Sequence, residues 1–282
     1  MRRSLISSIT ACLLLSVSAA NAEIFGLVIG IDDYDHIPDL DGAVNDATDI
    51  SEALQEIGGQ VTMLLNRDAN RARIIREWTS IASQIGDDDL FVISYAGHGS
   101  NEPEFWEGNE ADSKDETLLL SEFQPFGIGS SHRLRDDEIA QLIALTPPAQ
   151  TVFLADSCHA GTVSRSVSPV LGYRYVEVGS IKDDALPPPP PNTSPDEGRG
   201  EIGMFLAAVD ETAKVPEFLI DGKARGALSY AFAKGIRGAA DTDGDSNITL
   251  GEIESYVRRG IRQVSHGLQA PEIQRGGSVD AV

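Results

Sequence analysis

Cys158 closes the run Thr151-Val152-Phe153-Leu154-Ala155-Asp156-Ser157-Cys158-His159-Ala160-Gly161, where an apolar stretch of strand composition stops at a polar turn. A strand ending this way presents its last side chains at the edge of a sheet, within reach of a second molecule. A thiol there becomes a nucleophile once an imidazole takes its proton, and the imidazole can hand that proton to a leaving amine. His98 is the candidate base. It follows a second apolar run, Leu90 to Tyr95, and stands between Gly97 and Gly99. Those glycines suit close backbone approach, and their N–H groups can serve an oxyanion hole. His159 is set aside because adjacent residues of a strand point to opposite faces. The 60 positions between His98 and Cys158 are too many for one element, but two neighbouring strands could bring their ends together. Spacing alone is equally compatible with an inert buried cysteine and a loop histidine that never meets it. One cysteine with scattered histidines offers no zinc cluster.

A second stretch with chemical spacing is Asp241-Thr242-Asp243-Gly244-Asp245-Ser246-Asn247-Ile248-Thr249-Leu250-Gly251-Glu252. It has the ligand pattern of an EF-hand loop. Asp241, Asp243 and Asp245 supply single oxygens, Asn247 its carbonyl, Thr249 a direct or water-mediated oxygen, and Glu252 a bidentate carboxylate. Calcium is the expected cofactor. Ser246 stands where the sharp turn usually has glycine, so a non-glycine is asked for a strained φ. The alternative is a solvated acidic loop.

The elements that must position these groups alternate. Ile24 to Ile31 is a near-continuous apolar run, as in a central strand buried on both faces. Ala43, Val44, Ala47, Ile50, Leu54 and Ile57 recur at helical spacing before Gly58-Gly59. Val61 to Leu65 reads as a strand, Ile74 to Ile85 as a helix, Leu90 to Tyr95 as a strand, and Asp136 to Ile143 as a helix stopped by Pro147-Pro148. Residues 101–116 read as a polar surface insertion, with Thr117 to Leu120 a short strand. Residues 164–200, with five prolines at 187–191, read as an extended linker. Beyond it come a strand, Ile202 to Val209, and helices at Gly226 to Ile236 and Ile253 to Val264. This alternation predicts an α/β fold, a mostly parallel central sheet with helices on both faces. His98 and Cys158 then share its carboxyl edge.

Arg2, Arg3, the apolar stretch Leu5 to Val17 and Ala20-Asn21-Ala22 predict a secretory signal peptide over 1–22 and a periplasmic or secreted product. Its removal takes Cys12 and leaves Cys158 as the one thiol. The net charge of −22 argues against nucleic acid and anionic membrane as partners.

Taken together, Tyr95-Ala96-Gly97-His98-Gly99 and Asp156-Ser157-Cys158-His159-Ala160-Gly161 resemble the histidine and cysteine motifs of caspase-like peptidases, most closely metacaspases and their bacterial relatives, the orthocaspases. The resemblance extends to Gly42-Ala43-Val44-Asn45-Asp46-Ala47, Phe205-Leu206-Ala207-Ala208 and Gly226-Ala227-Leu228-Ser229-Tyr230. It implies a caspase-like three-layer sandwich, with a large-subunit-like part over 23–163, the linker, and a small-subunit-like part over 201–282. It further implies a His98–Cys158 dyad, an oxyanion hole from the Gly99 and Cys158 amides, and protein substrates cut after Arg or Lys in an S1 pocket containing Asp46 and Asp156. Two carboxylates pair a cationic side chain, bidentately if it is arginine. Ala43 and Ala96 stand where that family often has cysteine and serine. Asp115, Asp136 and Asp137 fall near a separate aspartate cluster through which metacaspases take calcium. Arg165, Arg174, Lys182 and Arg199, in or beside the linker, are candidate points of self-cleavage. The competing reading, from another class, is a catalytically silent caspase-fold module that binds calcium.

Overall fold

The computed structural model describes residues 22–104, 114–128, 132–146, 150–158, 171–178, 181–182, 203–208, 214–267 and 269–275. In chain order its elements are β1 (Ile24–Gly30), α1 (Ala43–Glu56), β2 (Gln60–Leu65), α2 (Arg71–Ala82), β3 (Leu90–Ala96), β4 (Gly99–Pro103), β5 (Lys114–Leu119), β6 (Gly127–Ile128), β7 (Arg133–Arg135), α3 (Asp136–Ala144), β8 (Gln150–Asp156), β9 (Ile181–Lys182), β10 (Met204–Ala207), β11 (Phe218–Ile220), β12 (Lys223–Arg225), α4 (Ala227–Lys234), α5 (Leu250–Val264) and β13 (Glu272–Gln274).

Six strands form the central sheet in the order β13-β10-β8-β3-β1-β2, and only the β10–β13 pair is antiparallel. The strand period of two explains why these runs are apolar throughout. Phe25, Leu27, Ile29, Phe91, Ile93 and Phe153 turn to one face, against Ile74, Trp78 and Ile81 of α2 and Leu142 and Ile143 of α3. Val28, Val92, Val152, Leu154 and Leu206 turn to the other, against Ile50 and Leu54 of α1, Phe232 of α4 and Ile253 and Val257 of α5. Each large side chain so buried contributes about 1.5–3 kcal/mol. Trp78 meets Phe91 edge-on and donates its ring N–H to Thr146, so Trp78→Ala would cost about 3–5 kcal/mol.

Local chemistry sets the helix ends. Gly42 gives α1 no side-chain cap; Asp32, from the loop after β1, instead accepts the Ala43 and Val44 N–H groups at 2.7 and 3.2 Å. Asn70 caps α2 through the Arg73 N–H. Thr249 and Glu252 form a capping box on α5.

The polar stretch after β3 is more than an insertion. Its two ends fold into β4 and β5, an antiparallel pair that continues through β7 into a second sheet. Glu102 and Asp115 are buried there. Arg133 makes two bonds to the Glu102 carboxylate, at 2.7 and 2.8 Å, so charges that look like a solvated surface pair inside the protein. Residues 105–113 lie outside the described residues. The predicted linker is likewise more than a spacer: residues 171–178 are packed against the carboxyl edge of the central sheet, while the proline run lies outside the described residues.

Candidate active site

Strands β3 and β8 are parallel neighbours with Ala96 opposite Asp156, so His98 and Cys158 each stand two residues past a paired position. Gly99 shows how tightly the two ends meet. A Cβ built there would collide with the Cys158 carbonyl oxygen, so no other residue fits.

The His98 ring is oriented by its neighbours. Its Nε2 lies 2.8 Å from the Pro38 carbonyl, which can only accept, so that nitrogen carries the proton. Nδ1 keeps its lone pair, buried with no hydrogen-bond partner. The His98 backbone N–H donates to the Tyr34 hydroxyl at 2.8 Å, and the two rings lie 4.9 Å apart. Tyr34 donates its own N–H to Asp39, closing the loop that delivers Pro38. Cys158 is fully buried, with the Val215 N–H donating to its sulfur. Burial pushes the thiol up to about 12 and pulls the imidazole down to about 4, so thiol and imidazole are both neutral here.

What buries them is a strap of the chain itself. Leu171 N–H donates to Glu217 O and Glu217 N–H to Gly172 O, both at 3.0 Å, and Arg174 N–H donates to Val215 O at 2.9 Å. The strap therefore pairs with residues 215–217 as an antiparallel strand would. The Arg174 carbonyl oxygen accepts both the Gly99 N–H, at 2.9 Å, and the Cys158 N–H, at 3.3 Å. Those two amides are the ones expected to hold an oxyanion, and here they converge on a peptide carbonyl.

The Arg174 side chain is completely buried among three carboxylates. Its guanidinium reaches Asp46 at 2.5 Å, Asp156 at 3.1 Å and Glu217 at 3.0 Å, and also bonds the Asp156 carbonyl at 3.0 Å. Each carboxylate is held from behind. Asp46 accepts the Gly226 N–H, Asp156 the Ser229 N–H and hydroxyl, and Glu217 the Asp41 and Gly42 N–H groups. Gly226 is required for that approach, since a Cβ there would strike the Asp156 carboxylate. Burial pushes the Asp46 carboxyl well above its usual range even with the guanidinium beside it. Burial also works against the charge of Arg174, but Asp46, Asp156 and Glu217 outweigh it and hold its pKa well above the usual value. The three acids together enclose one cation with spread-out donors.

The caspase domain, as a family, matches residues 25–280 of this sequence. The chain belongs to the caspase-domain family of peptidases. This caspase domain is 26% identical over 193 residues to metacaspase-1A of Aspergillus oryzae, an alignment covering 64% of the chain and 42% of that relative. It is 25% identical over 255 residues to metacaspase-1B of Aspergillus niger, covering 75% and 57%. The chain thus spans about half the length of the curated relatives it matches. Its fold is similar to the crystal structure of a Geobacter sulfurreducens protein (TM-score 0.61, 19% identity, 92% of this chain and 95% of that one). It is also similar to the Drosophila initiator caspase Dronc (TM-score 0.54, 14% identity, 92% and 81%).

Sequence reasoning named Asp46 and Asp156 but missed Glu217, the third wall of the pocket. The only sign was an acid set between Val215-Pro216 and Phe218 in an apolar stretch. Arg174 was named only as one of four basic linker residues. Of the others, Arg165 and Arg199 lie outside the described residues, as does the Lys182 side chain. Ala43 and Ala96 are both buried beside the site.

The second acidic site of the caspase domain lies at the head of α5. Carboxylate oxygens of Asp241, Asp243 and Glu252 fall within 4.8 Å of one another. Ser246 has φ +70°, the left-handed value anticipated for that position. Asp241 accepts the Gly244 and Ser246 N–H groups, and Asp245 the Asn247 N–H. Glu252 is turned to Thr242 and Thr249, whose N–H and hydroxyl donors pull its carboxyl down to about 2. Asp115, Asp136 and Asp137 form another such group, also within 4.8 Å.

Proposed function

We propose that this caspase domain is a cysteine endopeptidase of exported proteins' kind, working outside the cytoplasm and cutting after arginine, with its own Arg174–Tyr175 bond as a first substrate. The observation that carries the reading is the strap: a peptide carbonyl between the Gly99 and Cys158 amides, with an arginine side chain among Asp46, Asp156 and Glu217. An inert calcium-binding module has no use for a peptide held in that way.

In the proposed reaction His98 Nδ1 takes the thiol proton as Cys158 Sγ attacks the carbonyl carbon of the arginine. The carbonyl oxygen gains charge against the two amides that already face it. The C–N bond breaks, the imidazolium gives its proton to the leaving amine, and a thioester remains. Water then attacks the thioester; the C–S bond breaks and the thiol recovers its proton. Arginine is favoured over lysine because its forked head reaches all three acids at once, Asp156 from Nη1, Asp46 from Nη2, and Glu217 from Nη2 and Nε. A lysine nitrogen would stop one bond short of Asp46 and Asp156.

Calcium is proposed as the cofactor of the 241–252 loop. Its oxygens have the right chemistry for a hard cation, and Asp241, Asp243 and Glu252 already converge. These residues would hold the ion where α5 begins, and when bound it would supply charge neutralisation to the loop.

Intact-mass measurement tests the function directly. The purified chain should yield fragments ending at Arg174, and Cys158→Ala should abolish both this cut and cleavage of arginine peptides. Continued cleavage by the variant sinks the assignment.

A further inference from the structure

Past Arg174 the strap does not leave the surface. Tyr175 bridges Gly99 in parallel, its ring lies under Lys214 Nζ at 4.9 Å, and it packs on the apolar layer shared by α1, α4 and α5. Val176 donates its N–H to Gly99 O at 3.2 Å, accepts the buried Ser100 hydroxyl at 2.5 Å, and packs on the opposite apolar layer. Successive side chains turned to opposite layers are the mark of a bound strand. The edge it uses is real: β4 ends the β4-β5-β7 sheet and its outer side is otherwise unpaired among the described residues.

We infer that the enzyme has a built binding site on the leaving side of the cut bond. The free edge of β4 adds the first two residues after the arginine as a strand, Lys214 selects an aromatic ring at the first, and Ser100 holds the carbonyl of the second. This rests on the peptidase reading and deepens it to a substrate class, peptides containing Arg-Tyr-Val or an equivalent Arg–aromatic–β-branched sequence. Main-chain bonds to a sheet edge provide affinity without regard to sequence, while the pockets for side chains provide the choice. A cation over an aromatic face adds a preference that an alanine cannot supply. Substrates ending at the arginine, with only a dye as leaving group, forgo the whole subsite.

The test compares internally quenched peptides Leu-Gly-Tyr-Arg-Tyr-Val and Leu-Gly-Tyr-Arg-Ala-Val with the self-processed full chain. The tyrosine peptide should have a kcat/KM higher by about fivefold, the ratio expected of one cation–π contact. Lys214→Met should lower its rate to that of the alanine peptide, and Ser100→Ala should raise KM for both. Equal kcat/KM for the two peptides with the unaltered chain overturns the inference and leaves the peptidase reading standing. Cleavage of neither peptide overturns the peptidase reading itself.

Discussion

Asp46, Asp156 and Glu217 lie buried around a guanidinium, whereas Asp241, Asp243 and Glu252 stand half-buried or exposed at the head of a helix. The side chains are chemically alike; their surroundings differ. Taking a carboxylate out of water costs several kcal/mol, which only a matched cation and full hydrogen bonding offset. The inner cluster accordingly has a donor behind every acid and an arginine in front. The outer cluster meets no such cost, and its oxygens satisfy themselves on nearby N–H groups. A buried acid cluster must come with its partner, and an exposed one can wait for it.

The largest expected effect breaks the inner cluster. Arg174→Met leaves three buried carboxylates facing an apolar chain and should cost about 3–5 kcal/mol in urea unfolding. Asp243→Asn in the outer cluster should change stability by no more than about 0.5 kcal/mol. Similar losses from the two would erase the distinction. Acid acts next, through His98. Its folded pKa of about 4 lies below the ordinary 6.5, so the unfolded chain binds a proton that the folded chain resists between those values. Stability from this group is therefore intact above pH 6.5 and is lost as pH falls toward 4, by about 3 kcal/mol. His98→Gln should remove this loss, raising the urea midpoint at pH 4.5 relative to that at pH 7; an unchanged difference would take His98 out of the acid response.

Calcium should act on the outer cluster and leave the inner one untouched. At ten times its dissociation constant it should stabilise the chain by about 1.4 kcal/mol, an effect absent from Asp241→Asn. An unchanged midpoint in the parent chain would make the loop a plain helix cap. The last test is on the thiol, and it leaves stability untouched. In the uncleaved chain, alkylation of Cys158 should be slow at pH 7 and rise about tenfold per pH unit, following a thiol near pH 12. After self-cleavage removes the strap, the rate should level off near neutrality. The same slope before and after would separate the strap from the burial of the dyad.

Much of this was legible in the chain itself. The apolar runs of β1, β3 and β8 and the glycines around His98 are strong local signals, and they led to the sheet edge where His98 and Cys158 both stand. Asp46 and Asp156 were legible only through resemblance, since nothing local separates a pocket acid from a helix-surface acid. Glu217, Arg174 and the β4–β5 pairing were not legible. Each depends on a charge meeting its opposite from far along the sequence: Glu102 on Arg133, and Arg174 on Asp46 across 128 positions. Hydrophobic periodicity carries no trace of such pairings, and composition reads them as solvent-exposed. The linker misled for the same reason, because one stretch of it packs against the sheet edge and buries its arginine among distant acids.

That the strap and the pocket share one covalent chain has a kinetic consequence. A tethered substrate meets its site at an effective concentration in the millimolar range, set by the tether and not by how much protein is in the tube. The first cut should be a first-order event whose half-time is the same at every dilution. A free peptide, by contrast, must displace that resident arginine before it can be read. A hundredfold dilution series followed by gel would show which clock the protein keeps: constant half-times for a molecule that cuts itself, lengthening ones for a molecule that waits to be cut by another.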